Sequence, residues 1–297
     1  MRFLLLLLLL LPSLALGEGL EGVKSWAYQL QNAKPDEFKG FSLVVLDPSD
    51  VSGWRKGALE RLKSQGVIPL AYLSVGEAED YRAYWKRDWK ENPPKWLGPE
   101  NRNWKGNYAV KYWYPRWKGL LFKEVDRILK MGFEGIYLDR VDQFLYWSEE
   151  RGLLSKREAA KRMALLVKEL SRYCKERASV CYVVPQNGVE ILKFAPWLVR
   201  FVDGWSAESL FFTDGRPTPK EEFLYALKYY ELLKERGKLL LSVEYLWDPK
   251  APLESLTKLR FYYFEAKRAG FVPYGSTVDR QLAVLVVVPS IQPPERR

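Results

Sequence analysis

The feature that most constrains this chain is a repeat of kind rather than of residue: a short apolar run, then an amphipathic helical stretch, recurring from residue 25 to residue 276. The runs are "SWAYQLQ" (25–31), "FSLVVLDPSD" (41–50), "VIPLAYLSVGEAEDY" (67–81), "GIYLDRVD" (135–142), "CYVVPQNG" (181–188), "FVDGWSAESLFF" (201–212), "KLLLSVEYL" (238–246) and "FVPYGS" (271–276). Apolar runs without polar interruption predict strands buried on both faces, as in a parallel sheet. Glycine closes several of the helices between them, in "KSQG", "KERG" and "KRAG", where a left-handed C-terminal residue is favoured. Eight βα units predict a single-domain (β/α)8 TIM barrel, with an open doubly wound sheet as the alternative. "LAVLVVVPS" near the end is expected to be an extra strand outside the repeat.

The barrel is expected to begin after a leader. Residues 1–17 have one Arg, an apolar run from Phe3 to Leu11, a Pro, and small Ala15 and Gly17. That is the layout of a secretory signal peptide, and the run is too short to cross a bilayer. The expected location is therefore secreted, periplasmic or at the cell envelope, without stable membrane insertion, and residues 18–297 form the barrel domain. A monomer is the expected state.

Composition narrows the chemistry. The chain has no histidine, which excludes Ser-His-Asp and Cys-His nucleophile systems and ordinary histidine-ligated zinc. Carboxylates are left as the acid-base groups near neutral pH. The net charge of +10 is spread over Lys and Arg interleaved with Glu, as in "KRMALLVKELSRYCKER". This reads as solvated helix faces rather than a nucleic-acid patch. Cys174 and Cys181 are the only cysteines; a bridge and a pair of buried thiols are both open, and neither suggests catalysis.

In a parallel barrel, ligands bind at the C-terminal ends of the strands. Those ends carry Gln29, Asp47, Glu77 with Asp80, Asp139 with Asp142, Asn187, Glu208, Glu244 and Tyr274. A ring of carboxylates facing one cleft repels itself, so a fold selected for stability alone has little reason to make it. Half of the tryptophans lie between residues 81 and 117: Trp85, Trp89, Trp96, Trp104, Trp113 and Trp117. Flat indole faces suit sugar rings, although most of these should anchor a long loop and only one or two should touch ligand. A cleft lined by carboxylates repels phosphates, so no nucleic-acid partner is expected.

Taken together and in order, "WAYQLQ", "VVLDPSD", "AYLSVGEAEDYR", "GIYLDRVD", "VVPQNG", "AESLF" and "SVEYL" resemble glycoside hydrolase family 114, the endo-α-1,4-polygalactosaminidases and their bacterial and archaeal relatives. The resemblance spans about residues 23 to 276. It implies a (β/α)8 barrel that cleaves α-1,4-linked galactosamine polymers without a metal or organic cofactor. It places the catalytic aspartate at Asp139 and the catalytic glutamate at Glu208, with Glu244 as a rival for the second role. Asp47, Glu77, Asp142, Asn187, Glu244 and Tyr274 are the expected substrate-positioning groups. Some members of the family carry a cysteinyl-tRNA synthetase label; a class I synthetase needs histidines in its nucleotide site, and this chain has none.

Hydrolysis of a glycoside needs one carboxylic acid and one carboxylate. The expectation is Asp139 as nucleophile and Glu208 as general acid/base, with the pKa of the acid raised by its ionised neighbours. The rival from another class is a non-catalytic, secreted polysaccharide-binding barrel, in which those two residues would lie too far apart to act on one bond. A basic envelope-binding protein is a weaker rival.

Overall fold

The computed structural model describes residues 19–293; the leader expected at residues 1–17 lies outside them. Eight parallel strands form the barrel: β1 (Trp26–Gln29), β2 (Leu43–Leu46), β3 (Ile68–Ser74), β4 (Gly135–Asp139), β5 (Tyr182–Pro185), β6 (Gly204–Glu208), β7 (Leu239–Trp247) and β8 (Val272–Thr277). Strands β1 to β5 make one continuous ladder, β6 to β8 another. A parallel bridge between Gln186 and Ser206 joins them. Trp26, Tyr28, Tyr137 and Tyr274 fill the barrel, their rings 5.2 to 6.2 Å apart.

The outer layer is less regular than eight βα units. Full helices are α1 (Ala58–Ser64), α2 (Pro115–Met131), α3 (Lys156–Lys175), α4 (Lys220–Lys234) and α5 (Pro252–Ala269). After β1 and β5 the chain makes only short 3-10 turns, Pro35–Phe38, Val189–Lys193 and Pro196–Arg200. The segments there are short, and 3-10 turns are the usual connector where a full helix does not fit. Between β3 and β4 a small antiparallel sheet intervenes, from Glu77–Glu79, Leu97–Glu100 and Asn107–Val110. Trp85, Trp89, Trp96 and Trp117 run edge to face or tilted beneath it, with ring centres 5.0 to 5.3 Å apart. The indole N–H of Trp117 donates to the Val75 carbonyl at 2.9 Å. Cys174, at the end of α3, is bridged to Cys181, at the entry to β5, with Cα atoms 6.0 Å apart.

No ladder joins β8 to β1. Trp26 spans the seam by donating its indole N–H to the Val272 carbonyl at 2.9 Å. The C-terminal segment covers the rest, and here "LAVLVVVPS" departs from expectation: it is not a strand. The side chain of Gln292 accepts the Gly275 N–H at 2.6 Å and donates to the Gly275 carbonyl at 2.8 Å. It thereby occupies the edge groups of β8 that an added strand would need. Higher up, the Leu282 carbonyl accepts the N–H groups of Leu30 (2.8 Å) and Gln31 (3.3 Å) just past β1. Leu282, Val286 and Val288 are buried in the process.

Candidate active site

Register sets the two central carboxyls. Asp139 pairs with Ser74 at the end of β4, and Glu208 pairs with Val243 at the end of β6. Both line one cavity of about 540 Å3. Asp139 accepts the hydroxyl of Tyr72 and the N–H of Arg140, both at 2.7 Å. Glu208 accepts the side-chain amides of Gln186 (2.6 Å) and Asn187 (3.2 Å) and the Tyr245 hydroxyl (2.5 Å), while its own N–H donates to Asn187 Oδ1 at 2.8 Å. Such contacts fix the orientation of each carboxyl before any ligand arrives.

Burial, then the nearby Glu208 charge, push the Asp139 carboxyl up to about 7, against the opposing pull of Arg140 and the Tyr72 hydrogen bond. From sequence, Glu208 was expected to be the raised group; in the structure the raised carboxyl is that of Asp139.

Of the expected positioning residues, Asp47, Glu77 and Asn187 line the cavity with the central pair. Asp142, Glu244 and Tyr274 are not brought into it. Asp142 sits beside the cavity, 3.8 Å from Arg140 Nη1. Glu244 points to the outer side of β7: Ser242, on the same face, bonds the Tyr262 hydroxyl of α5 at 2.7 Å, and Glu244 accepts the N–H of Phe211 at 2.7 Å. Its neighbour Tyr245 faces the cavity instead. Tyr274 is fully buried against Trp26 and Phe41, and its hydroxyl accepts the Val286 N–H at 3.2 Å.

Other residues in and behind the cavity wall were not expected from sequence as site residues. Arg82 bridges Asp47 and Glu79, at 2.6 Å to each. Arg140 lies 3.1 Å from Glu77. Tyr28, Tyr72, Tyr245, Lys105 and Arg280 also line the cavity, together with Trp104 from the tryptophan-rich stretch. The two-residue period of a strand puts alternate residues on one face but does not say which face turns inward in a strand buried on both, so Tyr72 and Tyr245 carried no signal that could have found them. Three residues at the strand ends adopt left-handed backbone although none is glycine: Arg140 (φ 62°), Asn187 (φ 58°) and Ser209 (φ 54°). They follow Asp139, Gln186 and Glu208 directly, and strain of this kind concentrates at functional sites.

A barrel that presents two coupled carboxyls from its fourth and sixth strand ends belongs to the class of (β/α)8 glycoside hydrolases. Within that class the chain belongs to glycoside-hydrolase family GH114, whose family model matches residues 16–289. An uncharacterised protein of Thermotoga maritima is 43% identical over 278 residues, 91% of this chain and 86% of that protein. One from Methanocaldococcus jannaschii is 40% identical over 266 residues, 86% of this chain and 76% of its own length. Among solved structures, the glycoside hydrolase domain of PelA from Pseudomonas aeruginosa superposes with a TM-score of 0.71 at 22% identity, covering 89% of this chain and 98% of that one. Aspergillus fumigatus Ega3, solved in complex with galactosamine, superposes at 0.66 and 16% identity, covering 88% and 93%. At these identities the two structures share the fold.

Proposed function

We propose that the protein is an exported, endo-acting hydrolase of α-1,4-linked, galactosamine-containing polysaccharide. The observation that carries this reading is the placement of Asp139 and Glu208 on one cavity, each held by neutral donors and coupled through charge. Asp139 attacks the anomeric carbon as Glu208 protonates the departing glycosidic oxygen; Glu208 then deprotonates the water that releases the glycosyl ester. The reacting form that this chemistry requires has an ionised Asp139 to attack and a protonated Glu208 to donate. The galactosamine bound by Ega3 supports the sugar class, and the cavity volume suits a ligand larger than one ring. Export rests on the leader pattern of residues 1–17.

Reducing-end release and product size, measured on partially acetylated α-1,4-galactosamine polymer, test the reading. The parent should release oligosaccharides of mixed length, and Asp139→Asn and Glu208→Gln should each lose about a thousandfold or more in turnover. Both variants should keep the parent's circular dichroism. Full activity of Asp139→Asn would remove it from the chemistry.

A further inference from the structure

On the outer ring of the barrel, α2 and α3 turn one large apolar side chain to solvent between them, Leu165. Helix α5 turns out three: Leu253 is 82% exposed, Phe264 64% and Phe261 49%. Exposed Leu253, Thr257, Arg260, Phe264 and Lys267 follow one another at steps of four and three residues, the spacing that lines side chains along one face of a helix. Phe261 and Arg268 stand in the adjoining row. Phe261 lies perpendicular to the Phe212 ring at 6.0 Å, and Arg268 lies 5.8 Å from the centre of the Phe264 ring. An apolar stripe rimmed by polar groups, left in water on the outside of a domain, marks a contact surface.

The uncompensated charge on this face has one sign. The two acids of α5 flank the stripe and each is paired, Glu254 with Lys258 at 2.7 Å and Glu265 with Arg268 at 2.8 Å. Arg260 and Lys267 have no ion-pair partner among the described residues. Helix α4 also exposes Leu224, Tyr225 and Leu232, but Glu221 and Glu231 stand exposed among them, so its outward face carries both signs.

We propose that the outward face of α5 docks the protein on an anionic lipid bilayer, with Leu253, Phe261 and Phe264 entering the headgroup boundary and Arg260, Lys267 and Arg268 meeting lipid phosphates. Aromatic and aliphatic side chains set among Lys and Arg are the composition of helices that lie in a membrane interface. The face is convex and about 27 Å long over its 18 residues, which suits a plane; a peptide needs a groove for its side chains. Contact is at the surface, since among the described residues no helix is long and apolar enough to cross a membrane. No residue of α5 lines the cavity, and a barrel helix runs back along the outside of the strands. Docking by α5 therefore lays the barrel on its side and leaves the strand ends that bear Asp139 and Glu208 open.

Co-sedimentation of the full chain with vesicles of phosphatidylcholine alone, or with about one third phosphatidylglycerol, tests the assignment on the parent, on Arg260→Glu/Lys267→Glu and on Phe261→Ser/Phe264→Ser. The leader is common to every form, and its apolar run does not distinguish the two kinds of vesicle. The parent should bind the anionic vesicles at least about twentyfold more tightly, taking about fivefold for each free cation near an anionic surface. The charge variant should abolish that ratio, and the serine variant should weaken anionic binding by about tenfold or more. Both should keep the parent's circular dichroism and melting temperature. A ratio near one for the parent, or variants that bind as the parent does, overturns the proposal. So does a parent that sediments as a dimer, is split by the variants and shows no preference for anionic vesicles, a result that gives the face to a second copy of the chain.

Discussion

Glu244 and Tyr245 are neighbours in sequence and opposites in surroundings. Tyr245 faces the cavity and holds Glu208; Glu244 lies 1% exposed behind the sheet, where burial pushes its carboxyl up to about 8 even with backbone N–H groups from Phe211 and Phe212 pulling the other way. Asp139, raised to about 7, behaves alike. Both groups hold a proton more tightly folded than unfolded, where a carboxyl titrates near 4. Each therefore contributes stability that is complete below about pH 4 and is lost as pH rises toward 7 for Asp139 and 8 for Glu244. Melting temperature should fall from about pH 5 to pH 9, and Glu244→Gln, which keeps an acceptor for Phe211, should flatten the upper part of that fall; an unchanged slope would assign it to other groups. From sequence the ends of the strands were legible, because Asp and Glu interrupt apolar runs there. Which side chains turn inward was not. A strand buried on both faces shows no polar alternation, so nothing in "SVEYL" separates Glu244 from Tyr245.

At the scale of elements, the bridge between Cys174 and Cys181 ties the end of α3 to the start of β5, far from the strand ends that bear Asp139 and Glu208. Replacing both cysteines by alanine should cost about 2–3 kcal/mol in denaturant unfolding, on chain entropy for so short a loop, while kcat/KM stays within about twofold. A large loss of activity without loss of stability would contradict that separation. The tryptophan-rich stretch was legible in part: most of its rings do anchor a long insertion, and Trp104 is the one that reaches the cavity rim. Its fold as a three-stranded antiparallel sheet was hidden, because its strands of three or four residues carry too few positions to establish a period. The short turns after β1 and β5 were hidden for the same reason.

At the scale of the molecule, the barrel is closed between β8 and β1 by side chains and a tail rather than by a ladder. Gln292→Ala would strand the buried Gly275 N–H and the Tyr263 hydroxyl, and should destabilise by about 2–4 kcal/mol in urea titration, as buried donors left without partners do. A loss below about 0.5 kcal/mol would show that the seam is held elsewhere. The eightfold repeat was legible since each strand must be long and apolar enough to be buried. The seam was not, because Gln292 lies 17 residues beyond Gly275 in sequence and hydropathy says nothing of which edge a lone glutamine will cap. One consequence concerns time. A barrel sealed at residue 292 cannot shut while that residue is still inside a ribosome, so every growing chain passes through a stage with all eight strands made and one flank open. Closure therefore waits for residue 292 to emerge, and until then any partner that binds unfinished chains can still act on the open flank.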